Sequence, residues 1–269
     1  MKKIIPNLFT LLNLFFGCMS IVFALQTNNV IIYVNDQYNS SFNIPEKISW
    51  AAICIIIAAV IDFLDGFVAR LLKATSEIGK QLDSLSDVVS FGVAPGMIFY
   101  QLLRIGYAEG TNGLETSFGL LLPAFLFTCA VAWRLAKFNV STNQSDSFKG
   151  VPSPAAGLVV ASFPLIIWYE YFNLQFLFIN VWFLYAAVIL LSFLMVCNRT
   201  FIALKFKTYS LQKNSLNYSL IFLSVISIVF LKWFAIPVIF ILYLLFSAFA
   251  KPGAPIESSQ NNKTLDLTV

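Results

Sequence analysis

Residues 62–87 read DFLDGFVARLLKATSEIGKQLDSLSD, and this stretch decides the architecture of the chain. It holds Asp62 and Asp65 three apart, then Asp83 and Asp87 four apart. Each spacing puts two carboxylates on one face of a helix. A short polar bend at 73–77 separates the pairs, so the two helices should run antiparallel. Asp62 and Asp87 lie eleven and ten residues from that bend, Asp65 and Asp83 eight and six. The pairs therefore sit at matching depths and can face each other. Four facing carboxylates in an apolar chain repel strongly unless cations sit between them, so the pattern predicts a divalent-metal site.

The neighbouring residues fit that reading. Asp62, Asp65, Gly66, Ala69 and Lys73 share one helix face, and Gly79, Asp83, Ser86, Asp87 and Ser90 share another. Glycine and alanine beside the acids leave room for a ligand to approach the backbone. Arg70 and Lys73 place positive charge at the mouth. Acids for metal, bases for phosphate and glycines for access together suggest a bound pyrophosphate.

With 59% hydrophobic and 11% charged residues and a mean hydropathy of +0.81, the chain reads as a membrane protein. A net charge of only +4 gives a nucleic-acid role no electrostatic basis. Cys18, Cys54, Cys129 and Cys197 are scattered in apolar runs and read as packing residues, not as a disulfide framework. Histidine is absent from the sequence, which excludes a Ser-His-Asp triad, a histidine metal ligand and a phosphohistidine intermediate. Base chemistry near neutral pH then falls to carboxylates or lysines.

Outward from the acids, apolar runs at 8–25, 49–72, 81–103, 118–140, 154–172, 174–196, 216–231 and 234–250 predict an all-α polytopic bundle of about eight spans. The first run follows Lys2 and Lys3 but lacks a small-residue cleavage site, so it reads as a transmembrane helix. Its start, IPNLFTLLN from Ile5, is more polar than an anchor needs. Asn7, Thr10 and Asn13 there either touch a ligand or fix the helix by interhelical hydrogen bonds. The last two runs are separated by little more than Lys232, so one kinked segment is an alternative. Residues 251–269, rich in Pro, Ser and Asn, read as a disordered tail.

Basic residues orient the bundle. With the amino terminus inside, fourteen of the seventeen fall on the inner side, leaving Lys47, Arg104 and Lys232 outside. The bend at 73–77 is then cytoplasmic, and Asp62 lies roughly 16 Å in from Lys73, within the inner leaflet. Trp50, Trp168, Tyr169, Tyr171 and Trp233 fall near the outer interface. Arg134-Leu-Ala-Lys137-Phe-Asn139 ends a span on the cytoplasmic side, and FKGVPSPAA from Phe148 leads into the next. Ser153 as N-cap with Pro154 first in the helix leaves amides that favour an anion. Arg134 and Lys149 read equally as membrane anchors or as anion ligands. Intramembrane acids also occur along ion paths, but a transporter would spread them through the depth, and here all four cluster at one end.

The pattern Asp62-x-x-Asp65-Gly66-x-x-Ala69-Arg70, eight residues, then Gly79-x-x-x-Asp83-x-x-x-Asp87 resembles the full signature of the CDP-alcohol phosphotransferases. These are integral membrane enzymes of phospholipid synthesis. SDVVSFGVAP from Ser86, with the IPNLFTLLN and FKGVPSPAA segments, is similar to the family's phosphatidylserine-forming members. The resemblance implies a six-helix membrane domain within residues 1–213, two additional spans in 214–250 and a cytoplasmic tail from 251. It also implies a homodimer in a bacterial inner membrane, with the active site facing the cytoplasm.

By the same resemblance, Asp62, Asp65 and Asp83 hold two divalent metals, Mg²⁺ or Mn²⁺. Asp87 completes the second site and takes the hydroxyl proton of the acceptor. Gly66, Arg70, Ser76 and Gly79, with Asn7 and Thr10, would contact the CDP-lipid, and Arg134 or Lys149 the serine carboxylate. The implied partners are CDP-diacylglycerol, L-serine and membrane lipids. The implied reaction gives phosphatidylserine and CMP. Transfer to glycerol 3-phosphate or inositol phosphate is the alternative, although a phosphorylated acceptor should need a denser basic pocket. A metal-ion transporter is the rival from another class.

Overall fold

A stripe of small and polar residues runs down the first helix, α1 (Ile4–Leu25), at steps of three and four: Thr10, Asn13, Gly17, Ser20 and Ala24, all buried. In lipid the hydrophobic effect does not hold helices together, so association rests on close packing and interhelical hydrogen bonds. The stripe supplies both. It lies against α2 (Glu46–Leu71), where Ala51, Ala52 and Ala58 are buried and Ser20 Oγ donates to the carbonyl of Ala51 at 2.8 Å. A Cβ at Gly17 would collide with Ser90, so only glycine lets α1 come this close to the third span. The opposite faces of these helices leave Leu8, Leu11, Phe15, Phe63 and Phe67 exposed, which suits a lipid-facing surface.

The computed structural model describes residues 4–26, 46–72, 76–108, 116–140, 148–169, 174–201 and 215–249. Most of the predicted bend (residues 73–75), the tail from 251, residues 1–3 and Tyr171 lie outside these. Among the described residues, five helical stretches are long and apolar enough to cross a membrane: Ile5–Leu25, Lys47–Leu71, Glu77–Ala108, Phe118–Val140 and Tyr218–Ala248. Ser153–Tyr169 and Val181–Val196 are shorter apolar helices.

The third stretch begins four residues before the predicted 81 and runs past 103. It comprises α3 (Glu77–Val88), a π-helical turn (Val89–Val93) and α4 (Ala94–Ala108). Ser76 caps it, its hydroxyl accepting from the Gly79 amide at 3.0 Å, and Glu77 places a carboxylate in the first turn. The π-turn has a local cause in Pro95, which has no amide hydrogen to donate and crowds the preceding turn. The Ala94 amide reaches back five residues to the Val89 carbonyl, and Thr128 Oγ1 donates to the Gly92 carbonyl at 2.9 Å.

The 118–140 span is α5 (Phe118–Leu121), a 3₁₀ turn (Leu122–Ala124) and α6 (Phe125–Val140). It is followed by β1 (Phe148–Lys149), α7 (Ser153–Tyr169), α8 (Gln175–Ile179), α9 (Val181–Val196) and β2 (Thr200–Phe201). Asn180 splits the predicted 174–196 span; its side chain caps α9 by accepting from the amides of Trp182 and Phe183. Phe99, Phe127, Phe163 and Phe178 fill the core between these helices, with neighbouring ring centroids 5.0–6.0 Å apart.

The two β segments pair antiparallel, an addition to the expected all-α architecture that fastens the start of α7 to the end of α9. Gly150, at φ 77°, makes the turn beside the Met195 carbonyl, where a side chain has no room. The final apolar stretch is broken at Lys232, whose φ of 49° reverses the chain between α10 (Ser215–Leu231) and α11 (Ala235–Phe249). These two helices pack on each other, and α11 also packs on α7 and β2. Trp233, on the turn, meets Tyr169 at the end of α7 with centroids 6.2 Å apart.

Candidate active site

Helix α1 packs on both acid-bearing helices, α2 and α3. The acids reach into the space between. Carboxylate oxygens of Asp62, Asp83 and Asp87 all come within 4.8 Å of one another. At that separation each ionised pair repels by about 3 kcal/mol at an effective dielectric constant near 20. Asp87 is only 8% exposed, so water cannot solvate this charge in full. Three converging oxygen donors without a paired cation among the described residues are a donor set suited to a hard divalent metal. The cluster can hold a metal ion.

Asp65 is not one of the three mutually close carboxylates, but it lies within electrostatic reach of all three. It stays outside the trio, 6% exposed, and its Oδ2 accepts from Thr10 Oγ1 at 2.9 Å. Three residues of helix rotate a side chain by about 300°, so Asp62 and Asp65 diverge by about 60° and Thr10 draws the second one toward α1. Asp65 instead lines a cavity of about 580 Å³ whose wall also includes Asp83, Gly66, Gly79 and Ser76.

Most of the residues expected at the CDP-lipid are gathered there. Asn7 and Thr10 of α1 line the same cavity, and a Cβ placed on Gly79 would lie 3.0 Å from Asn7 Oδ1. Arg70 is not among the lining residues; it is exposed at the rim, with its guanidinium over Gly66. Lys80, which the sequence offers only as one of the fourteen basic residues on the inner side, lines the cavity and gives it a positive charge. Its spacing of three from Asp83 was the available signal.

Arg134 belongs to α6. Its Nη1 donates to Ser153 Oγ at 3.2 Å, at the start of α7, and its buried Nε has no partner among the described residues. It is within electrostatic reach of Asp87 and of Tyr243 on α11. Tyr243 in turn stacks on Phe201 of β2, with centroids 6.2 Å apart. Lys149 sits in β1, but its side chain is outside the described residues. Asn13 was the other residue that sequence left open: fully buried, its Nδ2 lies 3.5 Å from Asp87 Oδ1.

The sequence is similar to those of known proteins. A family profile described as CDP-alcohol phosphatidyltransferase matches residues 3–193. The CDP-diacylglycerol–serine O-phosphatidyltransferase of Helicobacter pylori is 34% identical over 232 residues, covering 84% of this chain and 81% of that protein. The enzyme of the same name from Saccharomyces cerevisiae is 39% identical over 119 residues, 41% of this chain and 39% of its own. The archaetidylserine synthase of Methanothermobacter thermautotrophicus is 31% identical over 180 residues, 66% of this chain and 64% of its own. With the acid motif, the converging carboxylates and these likenesses in agreement, the chain belongs to the CDP-alcohol phosphatidyltransferase family.

Proposed function

We propose that this protein transfers the phosphatidyl group of CDP-diacylglycerol to the hydroxyl of L-serine, giving phosphatidylserine and CMP in phospholipid biosynthesis. The observation that carries the reading is the acid cluster beside a cavity that also offers glycines, Ser76 and Lys80. The names of the relatives point to serine as the acceptor. Protein purified in detergent should release CMP from CDP-diacylglycerol only when L-serine is added. Release with glycerol 3-phosphate or inositol phosphate instead would reassign the acceptor, and no release with any alcohol would leave the transporter reading.

In this mechanism Asp62, Asp65, Asp83 and Asp87 hold two divalent cations, Mg²⁺ or Mn²⁺. When bound, the cations neutralise charge on the pyrophosphate and on departing CMP. Gly66 and Gly79 let the nucleotide approach the backbone, Ser76 and Lys80 meet its phosphates, and Asn7 and Thr10 close the cavity from α1. Arg70 steers the anionic headgroup from the rim. Asp87 accepts the serine hydroxyl proton as that oxygen attacks the phosphorus bearing diacylglycerol. The bond from that phosphorus to the CMP oxygen breaks, and no covalent enzyme intermediate forms.

Free serine also brings a carboxylate, for which Arg134 or Lys149 supplies the counter-charge. The unpartnered Arg134 Nε and its position near Asp87 favour Arg134, whose planar fork suits a carboxylate. Steady-state kinetics should then show Arg134→Ala raising KM for serine by about tenfold or more with KM for CDP-diacylglycerol little changed. Equal effects on both substrates would remove Arg134 from the serine pocket, and the same comparison on Lys149→Ala tests the second candidate.

The proposed setting is a bacterial inner membrane with the acids opening to the cytoplasm, on the fourteen-to-three distribution of basic residues. Residues 1–213 form the catalytic membrane domain, 214–250 two further spans and 251–269 a cytoplasmic tail, and two copies pair as a homodimer. In a cysteine-free background, a membrane-impermeant thiol reagent added to intact cells should modify a cysteine at Asn39 and miss one at Ala74, both outside the described residues. The reverse pattern would overturn the orientation.

A further inference from the structure

One turn of α1 touches the acid-bearing helices at four points. Thr10 Oγ1 donates to Asp65 at 2.9 Å, and Asn13 Nδ2 faces Asp87 Oδ1 at 3.5 Å. In the other direction, Ser86 Oγ donates to the Thr10 carbonyl at 2.9 Å and Ser90 Oγ to the Asn13 carbonyl at 3.1 Å. Those serines stand one residue before and three residues after Asp87. They fix the register of α1 against Asp87 through backbone atoms, independently of the Asn13 side chain.

Asn13 is 0% exposed, and its Oδ1 has no partner among the described residues. An amide buried this way costs about 1–3 kcal/mol relative to a well-paired one. Leucine would fill the same space on a membrane helix without that cost, so packing alone does not account for the residue. The amide cannot usefully turn over, because its carbonyl would then oppose the Asp87 carboxylate. A separation of 3.5 Å is long for a hydrogen bond, as contacts to catalytic groups often are before substrate binds.

We propose that Asn13 is a positioning residue for Asp87: its amide holds one carboxylate oxygen and leaves the other turned toward the reacting hydroxyl. The inference rests on the reading of Asp87 as proton acceptor. It adds a residue outside the acid motif, on a different helix.

The test is a double-mutant cycle on the full-length protein in detergent, following transfer to radiolabelled serine. Asn13→Leu should lower kcat by about 10–100-fold, while KM for either substrate moves by less than about threefold. In an Asp87→Asn background the same substitution should change kcat by less than about twofold, because the group it acts through is already gone. Mn²⁺ binding by metal-stripped protein, read by electron paramagnetic resonance, should weaken less in Asn13→Leu than in Asp87→Asn.

An unchanged kcat in Asn13→Leu overturns the proposal, as does an equal loss in both backgrounds or a loss of Mn²⁺ binding as large as that of Asp87→Asn. If Asn13→Leu does not fold, the isosteric Asn13→Asp takes its place. It sets a carboxylate against Asp87 and should lose at least as much turnover, and wild-type turnover there would also overturn the proposal. Near-normal turnover in Asp87→Asn alone would instead remove the base assignment, which separates failure of that reading from failure of this one.

Discussion

Asp87→Asn is expected to keep CDP-diacylglycerol binding and lose about 10²–10⁴-fold in turnover, the usual range for removing a general base. The substitution is nearly isosteric, and both helical neighbours that anchor this turn, Ser86 and Ser90, bond to backbone carbonyls of α1 and not to Asp87. The fold should therefore survive and the loss should appear in kcat. Replacing the carboxylate also removes one of three oxygen donors within 4.8 Å of one another, so saturating metal must be present in the assay to isolate the proton-transfer role. Turnover near the wild-type rate would show that the serine proton leaves by another route.

A second large effect is expected on metal removal. Chelation should abolish CMP release, and returning Mg²⁺ or Mn²⁺ should restore it. Without a cation, the acid trio would oppose the pyrophosphate with like charge. Asp62→Asn and Asp83→Asn should raise the half-saturating metal concentration by more than about tenfold, because each removes a proposed ligand and not merely a neighbour of one. Asp65→Asn should have a different profile. Its carboxylate lines the nucleotide-sized cavity and is held by Thr10, so KM for the CDP-lipid should rise along with the metal requirement. Metal dependence unaltered in Asp62→Asn and Asp83→Asn would remove the ligand assignment.

The convergence of Asp62, Asp83 and Asp87 was legible because helical spacing and equal distances from one bend are local properties of the chain. The hydrogen bond from Thr10 to Asp65 was not, since it joins residues fifty-five apart and depends on how closely Gly17 lets α1 approach. Asn13 was ambiguous, and Lys80 was passed over as a surface charge, for the same reason. A polar residue on a helix face does not reveal which neighbour that face will meet. Pro95 was legible only as part of the SDVVSFGVAP motif, and a proline inside a helix does not say whether a kink or a π-turn will absorb it. The β1–β2 ladder, two residues on each side, lies below any periodic signal, and only Gly150 hints at the turn beside it. At Lys232 the short separation of two apolar runs was visible, whereas the positive φ that reverses them falls on a residue type that gives no warning.

The π-turn at Val89–Val93 has a geometric consequence for the whole third span. Asp87 and Ala94 are seven residues apart, and in an unbroken α-helix two turns would set one almost directly above the other. The turn stores one surplus residue, which sets back the phase of everything after it by about 100°. The span therefore works as a crankshaft. Before the turn its throw presents Asp83 and Asp87 to the opening between α2 and α3. After it, Ala94, Ile98 and Leu102 point into the packed interior, each with 0% exposure. One continuous membrane helix thereby serves a polar reaction space and an apolar core on two different bearings, without a break in the chain between them.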